Sequence, residues 1–119
     1  MGLYKTLNKA LKAPIEDVTT LKIKFKNQTL PLDIFSFVAL DTLFIQSDEL
    51  EYIPEQIENL KTLTQVHIQA KNLKQVPKEL VTLPQLRVLS LNNCHNYNKF
   101  ISNIYSLFIT SRNTNTIVI

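Results

Sequence analysis

Residues 40–62 read LDTLFIQSDELEYIPEQIENLKT, and residues 63–85 follow directly with LTQVHIQAKNLKQVPKELVTLPQ. Laid one on the other, Leu40, Leu43, Ile45, Leu50, Ile53, Pro54, Ile57 and Leu60 fall on Leu63, Val66, Ile68, Leu73, Val76, Pro77, Leu80 and Leu83, at a constant step of 23 along the chain. A further step of 23 brings Leu86, Leu89 and Leu91 into place. Backwards, Val18, Leu21 and Ile23 begin a copy, and Leu30, Pro31, Ile34 and Phe37 end it, one position short at 22. The Leu-x-Leu step has the period of a strand, whose alternate side chains share one face, so a helical bundle does not fit. Proline at mid-copy stops the strand from continuing. The PxxLxxL tail then returns as a short helical or 3₁₀ segment. One copy cannot cover its own apolar face. Stacked copies place Leu21, Leu43, Val66 and Leu89 in one buried column and Ile23, Ile45, Ile68 and Leu91 in another.

The pattern LxxLxLxx(N)xLxxLPxxLxxLxx, covering about residues 17–95, resembles the leucine-rich repeat of the 23-residue type, in its bacterial and intracellular Ras-group-like forms. The resemblance implies an α/β fold. The fold it implies is a short right-handed solenoid of about four repeats, with a parallel concave sheet and a helical or 3₁₀ convex side. It also implies a non-catalytic module that binds a protein or peptide on the concave face, with no cofactor. The family's ninth position is usually Asn, which bonds the turning backbone. Here that position holds Lys26, Asp48, Lys71 and Cys94, so irregular turns are expected.

The whole chain, 1–119, forms one domain: a helical N-terminal cap over 1–16, core repeats over 17–95, and an irregular last repeat with a cap strand over 96–119. In the first segment Leu3, Leu7, Ala10 and Leu11 share one helical face within residues 3–12, and Pro14 ends the run. After Cys94 the pattern breaks. Phe100, Ile101, Ile104, Leu107 and Phe108 suggest a convex helix at about 98–110. With Ile117 and Ile119 at the two strand positions, the last repeat is a long one, from Leu86 to Asn113, and a final strand starts at Thr114. Thr116, Ile117, Val118 and Ile119 then form an edge, either a plain capping strand or an antiparallel contact in a homodimer.

Charge is distributed in bands. Residues 1–26 carry net +4, residues 27–60 carry seven acids and no Lys or Arg, and residues 61–99 carry net +5; Arg112 brings the total to +3. An acidic band between basic ones argues against a continuous phosphate track, hence against nucleic acid. The single glycine, Gly2, excludes glycine-dependent phosphate loops, and the single cysteine excludes an internal disulfide or a Cys-based zinc site. No apolar run approaches the roughly 18 residues of a membrane span, and the first residues lack a secretory core, so a cytoplasmic location is expected.

The only histidines, His67 and His95, stand far apart in the pattern, with no acid motif beside them, so neither a metal site nor a triad is expected. Cys94 reads as a small packed thiol. Strand residues between the core columns face the open side. One lateral row reads Lys22, Phe44, His67, Ser90; another reads Lys24, Gln46, Gln69, Asn92; Thr20, Thr42, Gln65 and Val88 begin the strands. Phe44 is the expected anchor of a protein or peptide partner on this face, or it packs under a loop or against Phe25. The acidic return side (Glu51, Glu55, Glu58) is a secondary surface. Two further functions stay open. One is a membrane-surface or lipid-anchored adaptor, because MGLYKT fits a loose acylation pattern at Gly2, backed by Lys5, Lys9 and Lys12. The other is the targeting domain of a larger enzyme.

Overall fold

A computed structural model describes residues 3–26, 28–92 and 117–118. Six parallel strands lie in chain order: β1 (Leu3–Tyr4), β2 (Thr20–Lys24), β3 (Thr42–Gln46), β4 (Gln65–Gln69), β5 (Val88–Asn92) and β6 (Ile117–Val118). With short helical connections between them, this is an α/β fold built on a parallel sheet. The columns expected from the repeat step are the observed pairs: Leu21–Leu43–Val66–Leu89 and Ile23–Ile45–Ile68–Leu91 are lateral neighbours. None of these eight side chains is more than 5% exposed. Each contributes about 1.5–3 kcal/mol on burial.

The connections follow from apolar residues spaced by threes. A 3₁₀ helix has three residues per turn, so every third side chain faces the same way. Ile34, Phe37 and Leu40 keep that spacing after Pro31, as do Ile57, Leu60 and Leu63 after Pro54, and all six are buried. The backbone obeys the same step: Ile57 N donates to Pro54 O at 3.1 Å, Leu60 N to Ile57 O at 3.0 Å, and Leu63 N to Leu60 O at 3.2 Å. The 3₁₀ segments are Leu32–Ser36 and Glu55–Asn59, each opened by a proline whose φ (−58° and −63°) suits the turn. In the next copy Leu80 and Val81 are both buried, which widens the apolar stripe. The N-terminal helix α1 spans Leu7–Leu11, and in this later copy one α-helical turn forms, α2 (Lys78–Val81), with Thr82 N bonded to Lys78 O at 2.9 Å.

Copies are also tied together outside the strands. Thr19 O accepts from Asp41 and Thr42, Asp41 O from Thr64 and Gln65, and Thr64 O from Arg87 and Val88. A second, narrower ladder runs through Thr29, Tyr52 and Gln75 as parallel bridges. The turn after β3 finds its substitute for the missing Asn one position later and one copy on: Asn72 Nδ2 donates to Asp48 O at 2.7 Å.

Three expectations need correction. The N-terminal helix covers Leu7–Leu11, not residues 3–12, because Leu3 and Tyr4 pair with Thr20 and Leu21 on the open edge of β2. Thr6 then caps the helix, its hydroxyl accepting from Lys9 N at 3.2 Å. Leu3 and Leu11 are exposed, so only Ala10 and part of Leu7 bury the expected face. At the other end, Val118 and not Ile117 registers with Leu89, and Ile117 registers with Val88. The last interval, from Leu89 to Val118, is thus one position longer than expected. No periodic motif sets it after Asn92, and one position of slip exchanges the two parities. Gly2, Cys94, His95, the helix expected at 98–110, Thr116 and Ile119 lie outside the described residues. Among the described residues no helix is long and apolar enough to cross a membrane.

Candidate functional site

Strand register brings Lys22, Phe44, His67 and Ser90 into one lateral row, and Lys24, Gln46, Gln69 and Asn92 into a second. Lateral neighbours on adjacent strands stand about 4.8 Å apart, close to the stacking distance of two flat rings. Phe44 and His67 accordingly stack, with centroids 4.5 Å apart and planes inclined by 9°. On the other side of Phe44, Lys22 Nζ lies 5.6 Å from the ring centroid, within cation–π range. Phe44 therefore meets its row neighbours on both sides, and it remains only half-buried.

His67 is held by more than the stack. Its Nε2 lies 3.1 Å from Gln65 Oε1, a contact that becomes a hydrogen bond in the tautomer carrying the ring proton on Nε2. Burial lowers the imidazole pKa below its ordinary 6.5, which favours the neutral ring. A neutral imidazole against Phe44 avoids placing a second cation close to Lys22.

The row borders a cavity of about 510 Å³ that spans β2, β3 and β4. Its floor is Lys22, Lys24, Phe44, Gln46, His67 and Gln69, and Phe25 and the departing N-terminal segment Lys5–Thr6–Leu7 also line it. The cavity opens there because β1 pairs only with Thr20 and Leu21, after which the chain turns into α1. From sequence, Lys5 and Leu7 were assigned to the N-terminal segment and Phe25 only to packing against Phe44, so none of the three was placed on this face. The hydroxyl-bearing Thr6 ahead of a short helical run is the signal that would have found the turn.

Of the other selected residues, Lys22, Lys24, Gln46 and Gln65 are exposed and Gln69 is half-buried. Thr42 and Ser90 are buried, at 9% and 4% exposure, and do not belong to an accessible surface. Both side chains are too short to reach past their neighbours, and Thr42 Oγ1 turns back to donate to Asp41 Oδ2 at 2.9 Å. Asn92 holds its place in the register at the backbone. On the return side Glu51 is committed to an ion pair with Lys74, which raises the Lys74 pKa through their hydrogen bond, while Glu55 and Glu58 are exposed. Among the described residues no group of three or more His, Cys, Asp or Glu is placed to hold a metal ion. Comparison of the chain with protein-family models and with curated proteins finds no match.

Proposed function

We propose that this chain is a leucine-rich-repeat solenoid that acts as a non-catalytic binding module, recognising a protein or peptide on the concave face formed by β2–β5. The observation that carries this reading is the Lys22–Phe44–His67 row beside an open cavity of about 510 Å³. A half-buried aromatic ring, held by its neighbours and bordered by amide side chains, is a preorganised anchor point. The rigid parallel sheet supports it, so little side-chain freedom is lost when a partner arrives. Long polar side chains of Gln46, Gln65 and Gln69 supply donors and acceptors for an extended backbone.

A random peptide library selected on the wild-type protein and re-screened on the Phe44→Ala/His67→Ala variant tests this. Selected peptides are expected to lose at least about tenfold in affinity for the variant, as removal of an interface anchor does. Equal binding to both proteins, or no enriched peptide at all, rejects the face as the binding site. The adaptor reading rests on Gly2, outside the described residues, and no observation favours it, the enzyme-targeting reading or a homodimer through the last strand.

A further inference from the structure

The cavity on the open face is electrostatically one-sided. Lys5, Lys22 and Lys24 line it, and no Asp or Glu does. None of the three lysines takes part in an ion pair among the described residues; the pair seen there is Lys74–Glu51, elsewhere on the molecule. The cation over Phe44 leaves Lys22 with a polarisable neighbour but no counter-charge. Three uncompensated ammonium groups around one cleft raise the local concentration of anions and favour a partner that supplies carboxylates.

The positive region is short. Asp41 stands at the start of β3, its carboxylate accepting from the hydroxyls of Thr42 and Thr64, both at 2.9 Å. Asp48 and Glu49 follow the end of the same strand, and both are exposed. A long polyanion laid along β3 would meet acid at either end. A short segment with its carboxylates near β2 avoids both. The cleft volume of about 510 Å³ suits a segment of a few residues and not a long chain. Phe25 and Phe44 add apolar surface to an otherwise polar site.

We infer that the cleft takes a short acidic peptide segment bearing one aromatic side chain, its carboxylates on Lys5, Lys22 and Lys24 and its ring against Phe25 and Phe44. This rests on the peptide-binding reading above and adds the partner's chemistry to it. The lysines set attraction and register; the aromatic side chain supplies the buried contact.

Fluorescence anisotropy with the full chain tests it. The probe is a labelled peptide of about ten residues, Glu and Asp around a single Trp. Its comparators replace the acids by Ser, replace the acids by Lys, or replace the Trp by Ser, and a single-stranded oligonucleotide matches it in charge. The acidic Trp peptide is expected to bind, and more weakly as salt is raised through the screening range. Lys22→Gln/Lys24→Gln should weaken it by about tenfold, as should Phe44→Ala, while Lys61→Gln/Lys71→Gln on the exposed surface elsewhere should change it less than about twofold. All variants are checked for an unchanged thermal midpoint. Equal affinity for the Ser-substituted peptide, still sensitive to Phe44→Ala, overturns the acidic partner and leaves the binding face standing. Equal or tighter binding of the oligonucleotide shows a general anion site and also overturns the proposal. Self-association through the cleft, with residues 48–58 of a second copy as the acidic segment, overturns it in favour of an oligomer. No binding of any peptide, or binding indifferent to Phe44→Ala, removes both the proposal and the reading beneath it.

Discussion

Leu43→Ala perturbs the packing at its most confined point. Leu43 is fully buried, and its lateral neighbours Leu21 and Val66 are 0% and 1% exposed. All three belong to hydrogen-bonded strands, so the backbone cannot close over the space left by the missing atoms. The loss therefore combines the transfer term with most of the cavity term and comes to about 3–4 kcal/mol, in the middle of the usual range for Leu→Ala. A chain of this size moves its melting midpoint by about 4 °C for each kcal/mol, so the midpoint should fall by about 12–16 °C. Circular dichroism melts, with a urea titration to confirm an unchanged m-value, measure this directly. Gln46→Ala on the same strand but on the exposed face is the control, expected within about 0.5 kcal/mol of wild type. A Leu43→Ala midpoint within measurement error of wild type, or a Gln46→Ala loss as large, would refute the assignment of inner and outer faces.

Ser47 is 2% exposed and its hydroxyl has no hydrogen-bond partner among the described residues, whereas the same position of the next copy holds the buried Ala70; Ser47→Ala should raise stability by about 1 kcal/mol in a urea titration. Asn72→Ala removes the bond to Asp48 O and should lower stability by about 0.5–1.5 kcal/mol, with Asn72→Asp unable to restore it because a carboxylate has no N–H to donate. His67 has its pKa lowered from 6.5 by burial, so below about pH 6.5 the unfolded chain takes up the proton more readily than the folded one. Its stability contribution is then complete above pH 6.5 and is lost as pH falls towards the folded pKa. Melts from about pH 8 to about pH 5 should show a decline that His67→Gln reduces, the facing groups being the cation of Lys22 across Phe44 and the neutral Gln65.

Much of the sheet was legible in the sequence because its geometry repeats. The constant step between copies places Leu43, Val66 and Leu89 side by side, and strand parity then assigns Phe44 and His67 to the opposite face. The same logic explains why these two rings, on adjacent strands, become stacked neighbours. Other features were not legible, since they depend on contacts that no period encodes. The pairing of Leu3–Tyr4 with β2 competes with helix formation, and the outcome turns on the exposed edge of another element. Thr42 and Ser90 obey the outward parity yet are buried, because parity gives direction and not reach. Asn72 replaces the expected turn Asn from one position away and across a copy boundary, so a column-by-column comparison overlooks it. The cleft combines two separate segments, the N-terminal turn at Lys5–Leu7 and the β2–β4 face, and only the second belongs to the repeating pattern.

Backbone amide shifts in ¹⁵N spectra, recorded while the acidic Trp peptide is titrated into the labelled protein, test the central claim most directly. The account predicts the largest changes at Lys22, Lys24, Phe44, Gln46, His67 and Gln69, and little change over the return segment Glu55–Asn59. Saturable shifts confined to Glu55–Asn59, with the row from Lys22 to His67 unmoved, would contradict it.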